Sequence, residues 1–217
     1  EGDTRRLFIR TDIYFGTGTL WADDFSIQRI GGPGQPFPTT ATPAEDGLRF
    51  SGSRDDLEIE ATLRPVGAML RLEGTIRSTR PGDRCITLTW ALPLNAEGGR
   101  WGNDVGVSKP LEAGGIYSNT APLGRYGPYS IYPFSSVTTA DGAAGVALAV
   151  PMNPPRPFRL GYDVEGGLSV SWDFGLSDLP ELYPRSADFA AVVYRHEPEW
   201  GFRAAAARYY ELFPEYF

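Results

Sequence analysis

The sequence predicts an all-β fold, an antiparallel β-sandwich closed by one C-terminal helix. Three observations point there. Short segments alternating apolar and polar residues recur along most of the chain, turn residues separate them, and no helical pattern intervenes between consecutive segments. The one stretch with helical spacing lies at the end. A chain of 217 residues is long enough to bury a sizeable core without disulfide or metal staples.

Taken in order, residues 6–10 and 19–30 alternate and are separated by Phe15-Gly16-Thr17-Gly18, which reads as a hairpin. Residues 31–38, dense in Gly and Pro, cannot continue a strand ladder and read as a linker. Nine segments of strand character follow, at 48–51, 57–65, 68–78, 85–92, 137–139, 145–151, 158–163, 168–174 and 188–195. From 200 to 213, Phe202, Ala205, Ala206, Tyr209, Tyr210 and Phe213 fall at helical spacing around a run of four alanines, and Pro214 ends the pattern. The expected organisation is a terminal hairpin at 1–30, a linker at 31–38, a sandwich at 39–199 and a helix at 200–217 leading to a further domain. Cys85 has no partner thiol and, beside Ile86 and Leu88, is expected as a buried structural residue. Two loop-like stretches remain, 95–117 and 118–134, rich in Trp and Tyr, and loops of that length are seldom idle.

Twenty basic against twenty-seven acidic residues give a formal charge of −7, with no basic stripe to follow phosphates, so nucleic acid is excluded as a partner. No apolar run is long enough to span a bilayer, which predicts no membrane partner. The sequence holds no zinc-spaced Cys/His cluster, no phosphate-binding glycine loop with its lysine and no nucleophile-elbow motif. No cofactor is expected. Asp23, Asp24 and Asp104 leave a structural calcium open, although isolated aspartates do not complete such a site. A start at Glu1 rather than Met and the scarcity of cysteine predict a processed piece of a secreted protein, extracellular or periplasmic.

The segment Gly18-Thr19-Leu20-Trp21-Ala22-Asp23-Asp24-Phe25-Ser26-Ile27 resembles the closing strand of jelly-roll carbohydrate-binding modules. Farther on, Tyr132-Pro133-Phe134-Ser135-Ser136-Val137, the run from Gly145 to Met152, Tyr162-Asp163 and the run from Trp172 to Ser177 resemble the mutarotase-like supersandwich at the N-terminus of multidomain glycoside hydrolases. In that family a helix like 200–213 leads into a catalytic barrel. The resemblance implies a galactose-mutarotase-like sandwich, a polysaccharide or oligosaccharide partner and a covalently linked catalytic domain. Mutarotases act through histidines and a glutamate; this chain has only His196, beside Glu197, and the residue reads as a strand-to-helix corner rather than a proton carrier.

Glycoside hydrolysis needs two carboxylates about 5 Å or roughly 6.5–9.5 Å apart across one sugar ring. Asp104, Glu112, Asp173 and Glu197 lie near aromatic loops or strand ends, but no pair among them is distinguished, so the catalytic residues are unknown. Sugar binding needs less: an aromatic face and planar polar groups. Trp101, Asn103 and Asp104 offer that set within four residues, and Arg125, Tyr126 and Tyr129 offer another. The alternative is that Trp101 packs beneath its own glycine loop and the tyrosines pin a long connection. Trp90 and Trp172 read as core, and Trp200 as packing back on the sandwich. The resulting expectation is a non-catalytic, carbohydrate-associated module of a secreted glycoside hydrolase. The rivals are a self-sufficient hydrolase or lyase and a purely structural assembly domain.

Overall fold

The computed structural model describes residues 37–102, 104–118, 120–122, 128–179 and 185–217. The expected hairpin, residues 31–36 of the linker, and Asn103, Arg125 and Tyr126 lie outside them. Along the described chain run β1 (Thr40–Ala44), β2 (Gly47–Arg54), β3 (Leu57–Val66), β4 (Met69–Ser78), β5 (Arg84–Leu92), β6 (Arg100–Gly102), β7 (Ser108–Pro110) and β8 (Ile116–Ser118). They are followed by β9 (Thr120–Pro122), β10 (Pro128–Ser130), β11 (Phe134–Thr138), β12 (Gly145–Ala149), β13 (Phe158–Asp163), β14 (Gly167–Leu176) and β15 (Ser186–His196). The helix α1 (Phe202–Leu212) and a single tight turn at Pro214–Tyr216 close the chain.

The strands form a nine-stranded sheet in the order β1-β2-β3-β4-β15-β12-β11-β6-β7, a four-stranded sheet in the order β5-β14-β13-β8, and the β9–β10 ribbon. Every pairing between these strands is antiparallel. The period of two decides which side chains enter the core. On β14, Leu168, Val170, Trp172, Phe174 and Leu176 are buried while Ser169, Ser171, Asp173 and Gly175 alternate with them. From the large sheet, Leu57, Ala61, Leu72, Ile76, Phe189 and Ala191 meet them in one cluster, with the Trp172 and Phe189 rings 5.4 Å apart. Each large side chain buried there contributes about 1.5–3 kcal/mol.

The middle of the large sheet is covered on both faces. On β15, Phe189 and Ala191 face the smaller sheet, whereas Val192 and Tyr194 face α1; on β12, Leu148 faces inward and Ala147 and Ala149 face the helix. A strand buried on both sides reads as an unbroken apolar run, which is what Phe189-Ala190-Ala191-Val192-Val193-Tyr194 is. The alanines let the helix ride close to the sheet. Phe202, Ala205, Tyr209 and Phe213, all buried, form its inner stripe, and Phe134 stacks on Phe202 with centroids 4.7 Å apart.

Three expectations are corrected. Cys85 is exposed, because on β5 it shares its parity with Thr87 and Thr89 while Ile86 and Leu88 turn to the core. The stretches 95–117 and 118–134 are not structureless: they hold β6 to β10, three residues each. Trp200 does not pack on the sandwich; the helix begins two residues later and leaves the indole 60% exposed.

Candidate functional site

A cleft of about 310 Å³ opens where the first turn of α1 meets the β6–β7 hairpin. Its floor is Ser136 and Thr138 of β11 with Gly102 of β6, and its walls are the hairpin residues Asp104 to Ser108 and the segment Pro198 to Arg203. Glycine at position 102 is a steric requirement: a Cβ there would lie 2.8 Å from Cβ of Phe202 and from Oγ of Ser136.

Two arginines fix the walls. Arg203 Nε donates to the carbonyl of Val105 at 3.0 Å, tying the helix to the hairpin tip. Arg100 donates through Nε to Ser108 Oγ at 2.6 Å and through Nη2 to the Ser108 carbonyl at 3.0 Å, closing the hairpin across its base. Asp104 Oδ1 accepts the Gly106 N–H at 2.7 Å, which shapes the tip. Trp200 and Glu199 stand exposed on the opposite rim. The cleft therefore joins one accessible indole to two guanidinium groups, two carboxylates and three hydroxyls, and its charged side chains balance in sign. Such a set can stack on an apolar face while donating to and accepting from hydroxyls on the same molecule.

The expected site residues separate. Asp104 lines the cleft. Trp101 does not: its indole is 0% exposed, stacked on Tyr162 at 6.2 Å, so its face is not available to a ligand. The reason lies in the pleat of β6, which points Trp101 into the space between the sheets and Gly102 toward the helix. Tyr129 sits half-buried in β10, opposite Ala121 of β9, and is not among the residues of the cleft. Its neighbour Arg159 is bound to Asp173; that pairing raises the guanidinium and holds the Asp173 carboxyl below the usual carboxylate range. The tyrosines that pin the long connections are others. Tyr162 Oη accepts the Ala96 N–H at 2.8 Å and donates to the Leu94 carbonyl, and Tyr117 Oη donates to the Pro110 carbonyl at 2.9 Å.

His196 ends β15 against Gly145, with Nδ1 3.0 Å from the Glu197 carbonyl, and burial pushes its pKa down. It forms the corner that delivers Pro198 to Trp200 to the cleft. The carboxylates Glu112 and Glu197 are exposed and neither lines the cleft. Among the described residues no group of three or more acidic, His or Cys side chains is placed to hold a metal ion, and no helix is long and apolar enough to cross a membrane. Asp23 and Asp24 lie outside those residues. Sequence reasoning missed Arg100, Glu199 and Arg203 as cleft residues; the signal for the rim was Trp200-Gly201 directly ahead of a helical stripe that does not need Trp200.

No protein-family model and no curated protein matches this chain. Solved structures with a similar course of the chain include an alpha-N-acetylgalactosaminidase from Bifidobacterium bifidum in complex with GalNAc, at 12% identity and a TM-score of 0.49, covering 82% of this chain and 30% of that one. Another is a galactose mutarotase related enzyme from Lactobacillus acidophilus, at 8% identity and a TM-score of 0.40, covering 73% and 71%. A third is a protein from Synechocystis sp. PCC 6803, at 11% identity and a TM-score of 0.41, covering 75% and 66%. The chain thus spans under a third of the first and about two thirds of the others. These similarities concern chain geometry only and say nothing of what this chain binds.

Proposed function

We propose that this chain is a non-catalytic carbohydrate-binding sandwich that serves a secreted glycoside hydrolase, gripping glycan in the cleft between α1 and the β6–β7 hairpin. The exposed indole of Trp200 above a rigid, polar, charge-balanced cleft is the observation that carries this reading. A pyranose presents one apolar face, which the indole covers, and a rim of hydroxyls, which Arg100, Asp104 and Arg203 bind as donors and acceptors. Glu199 is exposed, and Asp104 is half-buried with one oxygen engaged by the Gly106 N–H.

A glycan array and a hydrolysis screen on the 217-residue chain, with Trp200→Ala alongside, test the proposal. Loss of an anchor aromatic costs about 2 kcal/mol, so the variant should bind about 30-fold more weakly. Binding without turnover, weakened in the variant, is the expected result. Turnover by the chain alone, or binding indifferent to Trp200, would overturn it.

A further inference from the structure

A second cleft lies in the same sheet, away from the first. The pairing of β12 with β15 stops at Ala149 opposite Val192, while β15 runs on to Ser186 with β4 on its other side. Between Ser186 and Ala191, that edge of β15 has no strand beside it among the described residues. The chain leaving β12 swings away and encloses about 420 Å³ above Trp172, bounded by Arg71, Glu73 and Asp188 on the strand side and Asn153 and Arg156 on the loop side.

The charges in this cleft are not all satisfied internally. Glu73 is held by Arg71, Nε to Oε1 at 2.8 Å, and by Arg64, Nη2 to Oε2 at 3.3 Å. Asp188 accepts only the Thr75 hydroxyl, at 2.7 Å, and has no cation partner among the described residues. Arg156 rests 5.8 Å from the centroid of the Phe174 ring and has no carboxylate partner there either. One anion and one cation thus face the same space from different walls without pairing. The cleft also has open strand edge and an amide at Asn153.

We propose that this cleft is a second binding site, for a neutral saccharide unit. A hydroxyl donates to Asp188 and accepts from Arg156 without leaving an excess charge, and adjacent hydroxyls on a rigid ring do both at once. A ligand bearing its own carboxylate would satisfy Arg156 but would be repelled by Asp188. With the α1 cleft, the chain then holds a polymer at two points, which strengthens attachment beyond either site alone.

Titration calorimetry of the 217-residue chain with cellohexaose, maltohexaose, galactohexaose and hexagalacturonate tests this. Arg156→Gln, Asp188→Asn and Asn153→Ala all alter side chains outside the core, and their melting temperatures confirm folding. A neutral hexasaccharide is expected to bind, each variant weakening it about tenfold at a step that Trp200→Ala leaves intact. Binding lost in Trp200→Ala but unchanged in all three variants would overturn the second site and keep the first. The reverse pattern would keep the second and remove the first. Binding confined to hexagalacturonate, or no binding by any of the four, would overturn the assignment.

Discussion

Two buried tyrosine hydroxyls fasten α1 to the sheet, and removing them gives a direct measure of that docking. Tyr194 Oη donates to the Ala205 carbonyl at 2.9 Å, and Tyr209 Oη donates to the Val150 carbonyl at 2.9 Å. Tyr→Phe keeps the ring and opens no cavity, so the change is confined to one hydrogen bond. The Ala205 carbonyl still accepts the helical N–H four residues on, so Tyr194→Phe should cost about 1 kcal/mol. Val150 lies just past the end of β12, outside the ladder, and its buried carbonyl loses an accepted bond in Tyr209→Phe, for about 1–3 kcal/mol. At about 2–4 °C per kcal/mol for a domain of this size, thermal unfolding should shift down by ~3 °C for the first variant and by ~3–10 °C for the second. Calorimetry reads both. A Tyr209→Phe protein that melts at or above the parent temperature would refute the view that the helix is held by these bonds.

Four further outcomes follow from particular side chains. Burial raises the hydroxyl pKa of Tyr194 and Tyr209, so the unfolded chain gives up those protons first; stability should be level below pH ~10 and fall above it, with a shallower fall in Tyr194→Phe by urea midpoints. His196 runs the other way: burial lowers its pKa, the unfolded chain takes the proton more readily, and stability should decline as pH drops below ~6.5, a decline that His196→Gln flattens in thermal melts between pH 7.5 and 5. Trp101→Ala empties a fully buried indole site and should cost about 3–5 kcal/mol, so any loss of glycan binding in that variant should accompany a large fall in melting temperature rather than a normal one. Cys85, exposed on β5, should react fully with a thiol reagent such as dithionitrobenzoate without denaturant; a thiol that reacts only in urea would contradict the strand's facing.

The elements legible in the sequence are those whose period repeats. Residues 57–65 and 68–78 show several cycles of alternation each, and the observed β3 and β4 end within a residue of those limits. Strands β6 to β10 have three residues each, less than two cycles; β7, β9 and β10 pair only within short hairpins, and β6 and β8 pair with strands distant in the chain, as Trp101 does with Val137. No local pattern reports such a partner. The same distinction explains the site. The place of Asp104 on the cleft wall was legible because a polar residue at a loop tip turns away from the core. Trp101 looked similar by composition, yet its direction depends on which way β6 pleats, and that is decided by β11. Cys85 shows the converse case, where the parity of Thr87 and Thr89 already reported exposure and the residue type pointed the wrong way.

The position of β15 has a mechanical consequence. This strand is the fifth of nine in its sheet, bound over nine residue pairs to β4 and over five to β12, and it is the strand from which the corner at His196, the Trp200 rim and α1 are suspended. A pull exerted on the rim is delivered to the middle of the sheet and met by two ladders loaded lengthwise, whose bonds must break together, instead of to a border strand whose bonds would open in succession like a zip. If the α1 cleft holds glycan as proposed, an anchorage built this way resists drag from a large substrate through the rate at which the centre of the sheet gives way. The peripheral strand β1 can fray at its edge without releasing the load.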